Sequence, residues 1–326
     1  MRHHEYALQE LRPLMQQHAL SDEERAHVWW LLERAARQDF DATASRVIPY
    51  LRGFPHHYAG ALCKVETLEH LELAARLLPG ARLWFAFPRQ RLTDHVYKKD
   101  LLRHMPEFGA VSRLWASGGR RHPRFTGDLY APDLTEGASC VVALSKNPSL
   151  VDLDELAIEQ NLIDDDQLIE IFTWLDTPIQ AIRMGGNAFG ARGLGFFGAQ
   201  EPRRGLRSLS VVGGDLDALA IEAIVGGPHA GSLRALDLSG NNLMGHSTGV
   251  LAAASGLRNL EVLSLRNGRL RDLDMPALAG AEHLASVKTL SLEGNRITQA
   301  GVETLMRSEV LSDAAKACVR AAYPSE

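Results

Sequence analysis

Few residue groups in this chain have types and spacings that could do chemistry. Asp39-Phe40-Asp41-Ala42-Thr43 has the D-x-D-x-T spacing of some phosphatases. That chemistry needs the motif at the end of a buried strand. Here it follows the charged stretch Leu31–Gln38, so it reads as a helix C-terminus and turn. His3, His4, His56, His57 and Cys63 include metal-ligating types, but a structural zinc site needs four converging ligands, usually with paired cysteine spacing, and no C-x-x-C occurs. Gly185-Gly186, Gly213-Gly214 and Gly226-Gly227 complete neither a phosphate loop nor a dinucleotide fingerprint. H-E-x-x-H and G-x-S-x-G are absent as well. No catalytic, cofactor-binding or metal-binding residue is assigned, and the chain is expected not to be an enzyme.

Composition sets the frame for any other role. The chain has 326 residues, 45% of them hydrophobic and 23% charged, which is the balance of a folded, soluble protein. Its formal charge of −5 is uneven: residues 1–148 hold 20 Lys/Arg against 17 Asp/Glu, residues 149–326 hold 15 against 23. Phosphate would meet net repulsion in the second half, so no nucleic-acid partner is expected there. Cys63, Cys140 and Cys318 are odd in number and far apart, which argues against a disulfide framework. The first residues lack the apolar core of a signal peptide, and no run approaches a membrane span. The sequence therefore predicts a cytoplasmic protein with no membrane partner. Its Ala/Leu/Arg/Gly-rich usage fits a bacterium of high GC content.

A repeat dominates the second half. Leu233, Leu236, Leu238, Asn241 and Leu243 follow the pattern L-x-x-L-x-L-x-x-N-x-L. A step of 27 forward finds Leu260, Leu263, Leu265, Gly268 and Leu270, and a second finds Val287, Leu290, Leu292, Asn295 and Ile297. A step of 27 back finds Leu206, Leu209, Val211, Gly214 and Leu216, then Ile179, Ile182, Met184, Asn187 and Phe189. One last step of 26 finds Leu153, Leu156, Ile158, Asn161 and Ile163. The L-x-L core alternates with period two, so it is a short strand with one face inward. The Asn slot supplies an amide to satisfy backbone groups in the adjoining turn. Gly214 and Gly268 should interrupt that ladder at the third and fifth repeats. Helices are predicted behind the strands at Asp166–Leu175, Leu216–Ile224, Ser247–Ala254, Met275–Ala279 and Gln299–Met306, with Thr298 and Ser247 as N-caps.

These residues resemble the ribonuclease-inhibitor-like class of leucine-rich repeats. The resemblance covers about half the chain and implies an α/β solenoid: a horseshoe with parallel strands inside and helices outside. The class hosts inhibitors, immune receptors and GTPase-activating proteins, so it does not fix a function.

Three regions are expected. Residues 1–148 form a mainly helical or mixed N-terminal capping region, residues 149–311 the six repeats, and residues 312–326 a C-terminal capping helix with Cys318 as core filler. Within the first region, Ser21 to Glu24 is a capping box opening a helix to about Arg37, and Leu62–Leu78 reads as a second helix. Gly137–Ser145 is helix-like. The apolar runs Leu83–Phe87 and Val111–Ala116 flank a helical stretch around Leu92–His104, and fit either irregular repeats from about residue 80 or a small α/β unit. Residues 117–135 read as a loop.

The outward strand positions define the inner face. One row runs Ala157, Arg183, Ser210, Asp237, Ser264, Ser291; the next runs Glu159, Gly185, Val212, Ser239, Arg266, Glu293. No aromatic anchor is present, although binding hot spots favour Trp, Tyr and Arg. Arg183, Asp237, Arg266 and Glu293 are the candidate partner-binding residues. Trp29, Trp30, Trp84 and Trp115 are expected mostly in the core, with any exposed one a better anchor than the strands offer. The expected role is a scaffold or recognition module for an unidentified protein partner. The resemblance also admits regulation of a small GTPase, and the N-terminal region could instead be an effector with the repeats as its sensor.

Overall fold

The computed structural model describes residues 3–17, 21–39, 42–43, 46, 63–65, 83–87, 103–104, 106, 109, 111–116, 135–175, 177, 179–200 and 205–324. Its core is a leucine-rich-repeat solenoid built on one parallel sheet, which among the described residues has nine strands, ordered β1 to β9 as they occur in the chain. The repeat strands are β4 (Glu155–Ala157), β5 (Ala181–Arg183), β6 (Ser208–Ser210), β7 (Ala235–Asp237), β8 (Val262–Ser264) and β9 (Thr289–Ser291). They are only three residues long because each repeat must turn away at once to build its outer layer. Their register keeps one inward aliphatic side chain per strand in line: Leu156 beside Ile182, then Leu209, Leu236, Leu263 and Leu290. Each of these is essentially without solvent contact.

The sheet does not start at the first clear repeat. β1 (Cys63–Val65), β2 (Leu83–Phe87) and β3 (Val111–Ala116) pair in parallel with one another, and β3 pairs with β4 through Arg113–Glu155, Leu114–Leu156 and Trp115–Ala157. Strand at Cys63–Val65 corrects the helix expected over Leu62–Leu78. Its residues sit in register with Leu83–Phe85, so pairing with β2 overrides the local helical periodicity. The rest of that expected helix, the loop at 117–134 and the histidines at 56 and 57 lie outside the described residues.

Ahead of the sheet, α1 (His3–Met15) and α2 (Asp22–Gln38) pack together through Ala7, Leu11, Val28, Leu31, Leu32 and Ala35. The α2 capping box forms: Glu24 N donates to Ser21 Oγ at 3.2 Å, and Ser21 N to Glu24 Oε2 at 2.8 Å. At its other end Ala42 N donates to Asp39 Oδ1, and the Thr43 hydroxyl to Asp39 O. Asp39 thus closes a helix rather than ending a strand.

The outer layer consists of α3 (Thr135–Ser145), α4 (Asp165–Trp174), α5 (Ala191–Ala199), α6 (Ala218–Val225), α7 (His246–Ala252), α8 (Met275–Ala279) and α9 (Gln299–Met306). Short 3-10 turns such as Pro228–Ser232 and Glu282–Ser286 lead back to the next strand. α5 is not among the helices expected from the sequence, and its glycines are poor helix formers. Close packing is what they supply: a Cβ on Gly198 would lie 2.1 Å from Ala223 O of α6. Ser247 is not an N-cap. It lies inside α7, whose N-cap is Gly245, and Gly245 N donates to Asp274 Oδ1 of the next repeat at 2.7 Å. Thr298 does cap α9, through Ala300 N.

Two polar ladders run through the solenoid. Asn187 accepts from Asn161 N and Ile163 N and donates to Ile158 O and Met184 O. Asn241 accepts from Gly214 N and Leu216 N and donates to Val211 O and Leu238 O. Asn295 repeats the pattern with Leu270 N, Leu265 O and Leu292 O. Each amide therefore staples its own turn to the preceding one, and Asn187 and Asn241 do so where water is excluded. On the return side, Thr177, Ser232, Ser286 and Ser312 donate their hydroxyls to Leu153 O, Leu206 O, Leu260 O and Val287 O. Finally α10 (Asp313–Ala322) covers the last repeat with Ala315 and Val319, while the Tyr323 hydroxyl donates to Leu292 O at 2.7 Å. Cys318 is half-buried against Lys288 O rather than a core side chain.

Candidate functional site

The outward positions of β5 to β8 form the floor of a depression of about 470 Å3. Small side chains make it: Ser208, Ser210 and Ala235 on neighbouring strands, with Val212 and Val262 beside them. The sheet spacing of about 4.8 Å per strand leaves the space above such side chains open. Arg183 and Glu159 line one side of it, and Asp237 and Ser264 the other.

On one side, Arg183 at the end of β5 reaches Glu159 of the preceding repeat, Nη2 to Oε2 at 3.3 Å. Further along the solenoid, outside the lining of the depression, Arg266 beyond β8 reaches Glu293 of the following repeat, Nε to Oε2 at 3.0 Å. Both pairs are substantially exposed, so each contributes well under ~1 kcal/mol to folding. Asp237 lies between. Its Oδ1 accepts from Ser239 N at 3.0 Å and from the Ser239 hydroxyl at 2.5 Å. That hydroxyl is 2.8 Å from Ser264 Oγ and accepts from Arg266 N at 3.2 Å.

Of the four candidate residues, Asp237, Arg266 and Glu293 thus belong to one hydrogen-bonded network over β7 to β9. Arg183 stands apart, across the floor of small residues, with Glu159. Glu159 belongs to the second outward row and is not among the four residues the sequence singles out. Its register under the Arg183 side chain, one strand back and one row on, is what makes it part of the site.

A second charged row runs along the start of the strands. Arg234 pairs with Glu261 at 3.4 Å, and Glu261 with Lys288 at 2.7 Å. The Lys288 ammonium holds the Glu261 carboxyl below the usual carboxylate range, with Arg234 adding to it. No group of three or more His, Cys, Asp or Glu side chains could hold a metal among the described residues. No helix is long and apolar enough to cross a membrane among them either.

Two exposed tryptophans lie off this face. Trp30 on α2 is 46% exposed, against the expectation of a core role; it stacks on His27 and lies under Arg34. Trp174 at the end of α4 is 58% exposed, with the Lys146 ammonium 6.0 Å from its ring. The side chains of Trp29, Trp84 and Trp115 lie outside the described residues.

The family described as Leucine Rich Repeat matches residues 232–253, the segment holding β7 and α7. No curated protein matches the chain. Solved structures similar to it include an internalin, inlF, from Listeria monocytogenes, at 17% identity and a TM-score of 0.35, covering 78% of this chain and 84% of that one. The Rad7 and Elc1 complex of yeast is matched at 14% identity and a TM-score of 0.40, covering 77% of this chain and 73% of that one. The TLR13–ssRNA13 complex is matched at 14% identity and 0.31, covering 76% of this chain but 36% of that one.

Proposed function

We propose that this leucine-rich-repeat chain is a recognition module that binds a protein partner across its concave sheet and carries no catalysis of its own. The observation behind this reading is the floor of Ser208, Ser210 and Ala235, open between Arg183–Glu159 on one side and Asp237 with Ser264 on the other, with the Arg266–Glu293 pair further along the same solenoid. A partner side chain fits onto that floor, while each flanking pair can trade its exposed internal contact for one across the interface. Such exchanges set specificity and association rate more than raw affinity. Arg183, Arg266, Asp237 and Glu293 are the contact residues in this proposal, with Glu159 added to them. The setting proposed is the cytoplasm, with neither nucleic acid nor membrane as partner.

The test is a double charge reversal, Arg183→Glu with Arg266→Glu, in the full chain. Both side chains are exposed at the surface, so the variant should fold as the wild type does. Partner capture from native lysate should fall about tenfold or more, the scale of losing two interfacial charge contacts. Capture unchanged by the double reversal would remove the concave site.

A further inference from the structure

The turns that follow β8 and β9 lie side by side at the C-terminal edge of the sheet, outside the concave floor. Arg271 and Arg296 form an isolated parallel bridge there, so their side chains start from neighbouring positions on the same ladder. Arg269 lies two residues before Arg271, one repeat length from Arg296. All three are exposed.

Their electrostatic situation differs from that of the concave arginines. Arg183, Arg234 and Arg266 each meet a glutamate. Among the described residues, the guanidinium groups of Arg269, Arg271 and Arg296 form no ion pair with a carboxylate. The nearby carboxylates are committed elsewhere. Asp272 accepts from Thr298 N at 2.8 Å and from the Thr298 hydroxyl at 2.6 Å. Asp274 is buried between Gly245 N and Arg271 N, and Glu293 is held by Arg266. Like charges opposite one another on a ladder destabilise it, so folding gains nothing from this cluster. Beside it stands Leu273, 83% exposed, the most exposed of the large hydrophobic side chains described.

We propose that Arg269, Arg271, Arg296 and Leu273 form a docking edge for a short acidic peptide segment carrying one apolar side chain. Guanidinium groups pair with carboxylates through two parallel hydrogen bonds, and three adjacent ones match a run of Asp and Glu. Leu273 gives the apolar residue a contact. The rest of the repeat half confines the ligand to a short segment: residues 149–326 hold 15 Lys/Arg against 23 Asp/Glu. A long polyanion such as nucleic acid would run from this edge into net negative surface. This edge does not depend on the concave reading, and either can fail alone.

The probe is a fluorescein-labelled octapeptide of Asp and Glu with one central Leu, followed by anisotropy against the full chain. Controls are the same peptide with Asn and Gln, a single-stranded oligonucleotide of equal charge, and vesicles containing phosphatidylserine. The acidic peptide should bind best, and weaken as salt rises over about one Debye-length change. Arg271→Glu with Arg296→Glu should loosen it about tenfold or more, and the same pair changed to Gln by somewhat less. Leu273→Ser should loosen it about threefold, and Arg183→Glu with Arg266→Glu should leave it unchanged. The inference is overturned if the neutral peptide binds as well, if oligonucleotide or vesicles bind more tightly, if the edge reversals change nothing, or if the acidic peptide does not bind at low salt.

Discussion

Asn241 joins its own turn to that of the preceding repeat: its carbonyl accepts from Gly214 N at 2.9 Å, and its amide donates to Val211 O at 2.7 Å. The neighbouring position in the third repeat is Gly214 itself, so this one amide serves a turn that has none of its own. Just as Asn187 holds the first turn against the second, Asn241 is the amide that holds the third turn against the fourth. The concave floor of β6 and β7 rests directly on the turns it holds.

Replacing Asn241 by Ala should therefore be severe. It leaves Leu216 N, Val211 O and Leu238 O without that amide in a place water does not reach, and the half-buried Gly214 N without its partner. Unpaired buried groups cost about 1–3 kcal/mol each, so a loss on the order of 3–5 kcal/mol is expected. Urea unfolding monitored by circular dichroism measures it, and a loss below about 1 kcal/mol would contradict the ladder's role.

The repeat pattern suggests that asparagine at Gly268 would mend the interrupted ladder, and the structure says the opposite. A Cβ there would lie 2.9 Å from both Leu243 Cδ1 and Leu265 O. The backbone already does the work, since Gly268 O accepts from Leu243 N at 3.0 Å. Gly268→Asn should destabilise by about 1–3 kcal/mol, the usual cost of overpacking. A rise in melting temperature would show that the slot has room.

Gly198 makes the same point in the outer layer. With Ala223 O only 2.1 Å from the place of a Cβ, Gly198→Ala must push α5 from α6. The expected cost is about 2–3 kcal/mol even though alanine is the better helix former. Gly195, with open space around its Cβ position, is the control, and Gly195→Ala should stabilise slightly.

Acid should weaken the fold through His229. Burial lowers its pKa from 6.5 to about 4, against a bond to Ile224 O that favours the charged form. Above pH 6.5 both folded and unfolded chains hold it neutral. As the pH falls below 6.5 the unfolded chain takes up a proton that the folded one refuses until about 4, so stability drops across that window. The shift corresponds to a loss on the order of 3 kcal/mol by pH 4. His283 occupies the equivalent place two repeats on, and desolvation lowers its pKa too. Urea midpoints at pH 7, 6, 5 and 4 should fall progressively, and His229→Gln should flatten the decline. An unchanged slope in that variant would assign the acid sensitivity elsewhere.

The periodic parts of this protein were legible because one slot pattern, repeated six times, reports both strand and turn. The inward leucines stand where the pattern puts them, and Met275–Ala279 and Gln299–Met306 are helices as read. What escaped notice depends on neighbours in space rather than in sequence. The glycines of α5 look hostile to a helix until Ala223 O is seen against them. Cys63–Val65 reads as helix until β2 is there to pair with it. In the site, the outward row was visible, but its pairing was not. Arg183–Glu159 spans 24 residues and Arg266–Glu293 spans 27, opposite directions along the solenoid. The hydroxyl ladder of Thr177, Ser232, Ser286 and Ser312 is spaced by about two, two and one repeat lengths, and serine alone carries too little signal to mark it in the sequence.

Whether a protein partner sits on the concave sheet can be tested directly with a photo-crosslinking amino acid. It would be placed at Ser210, on the floor between the two ion pairs, and separately at Leu219, exposed on α6 of the outer layer. The account predicts a discrete crosslinked partner from Ser210, absent from Leu219 and lost when Arg183→Glu and Arg266→Glu are combined with it. Crosslinking from Leu219 with none from Ser210 would contradict it.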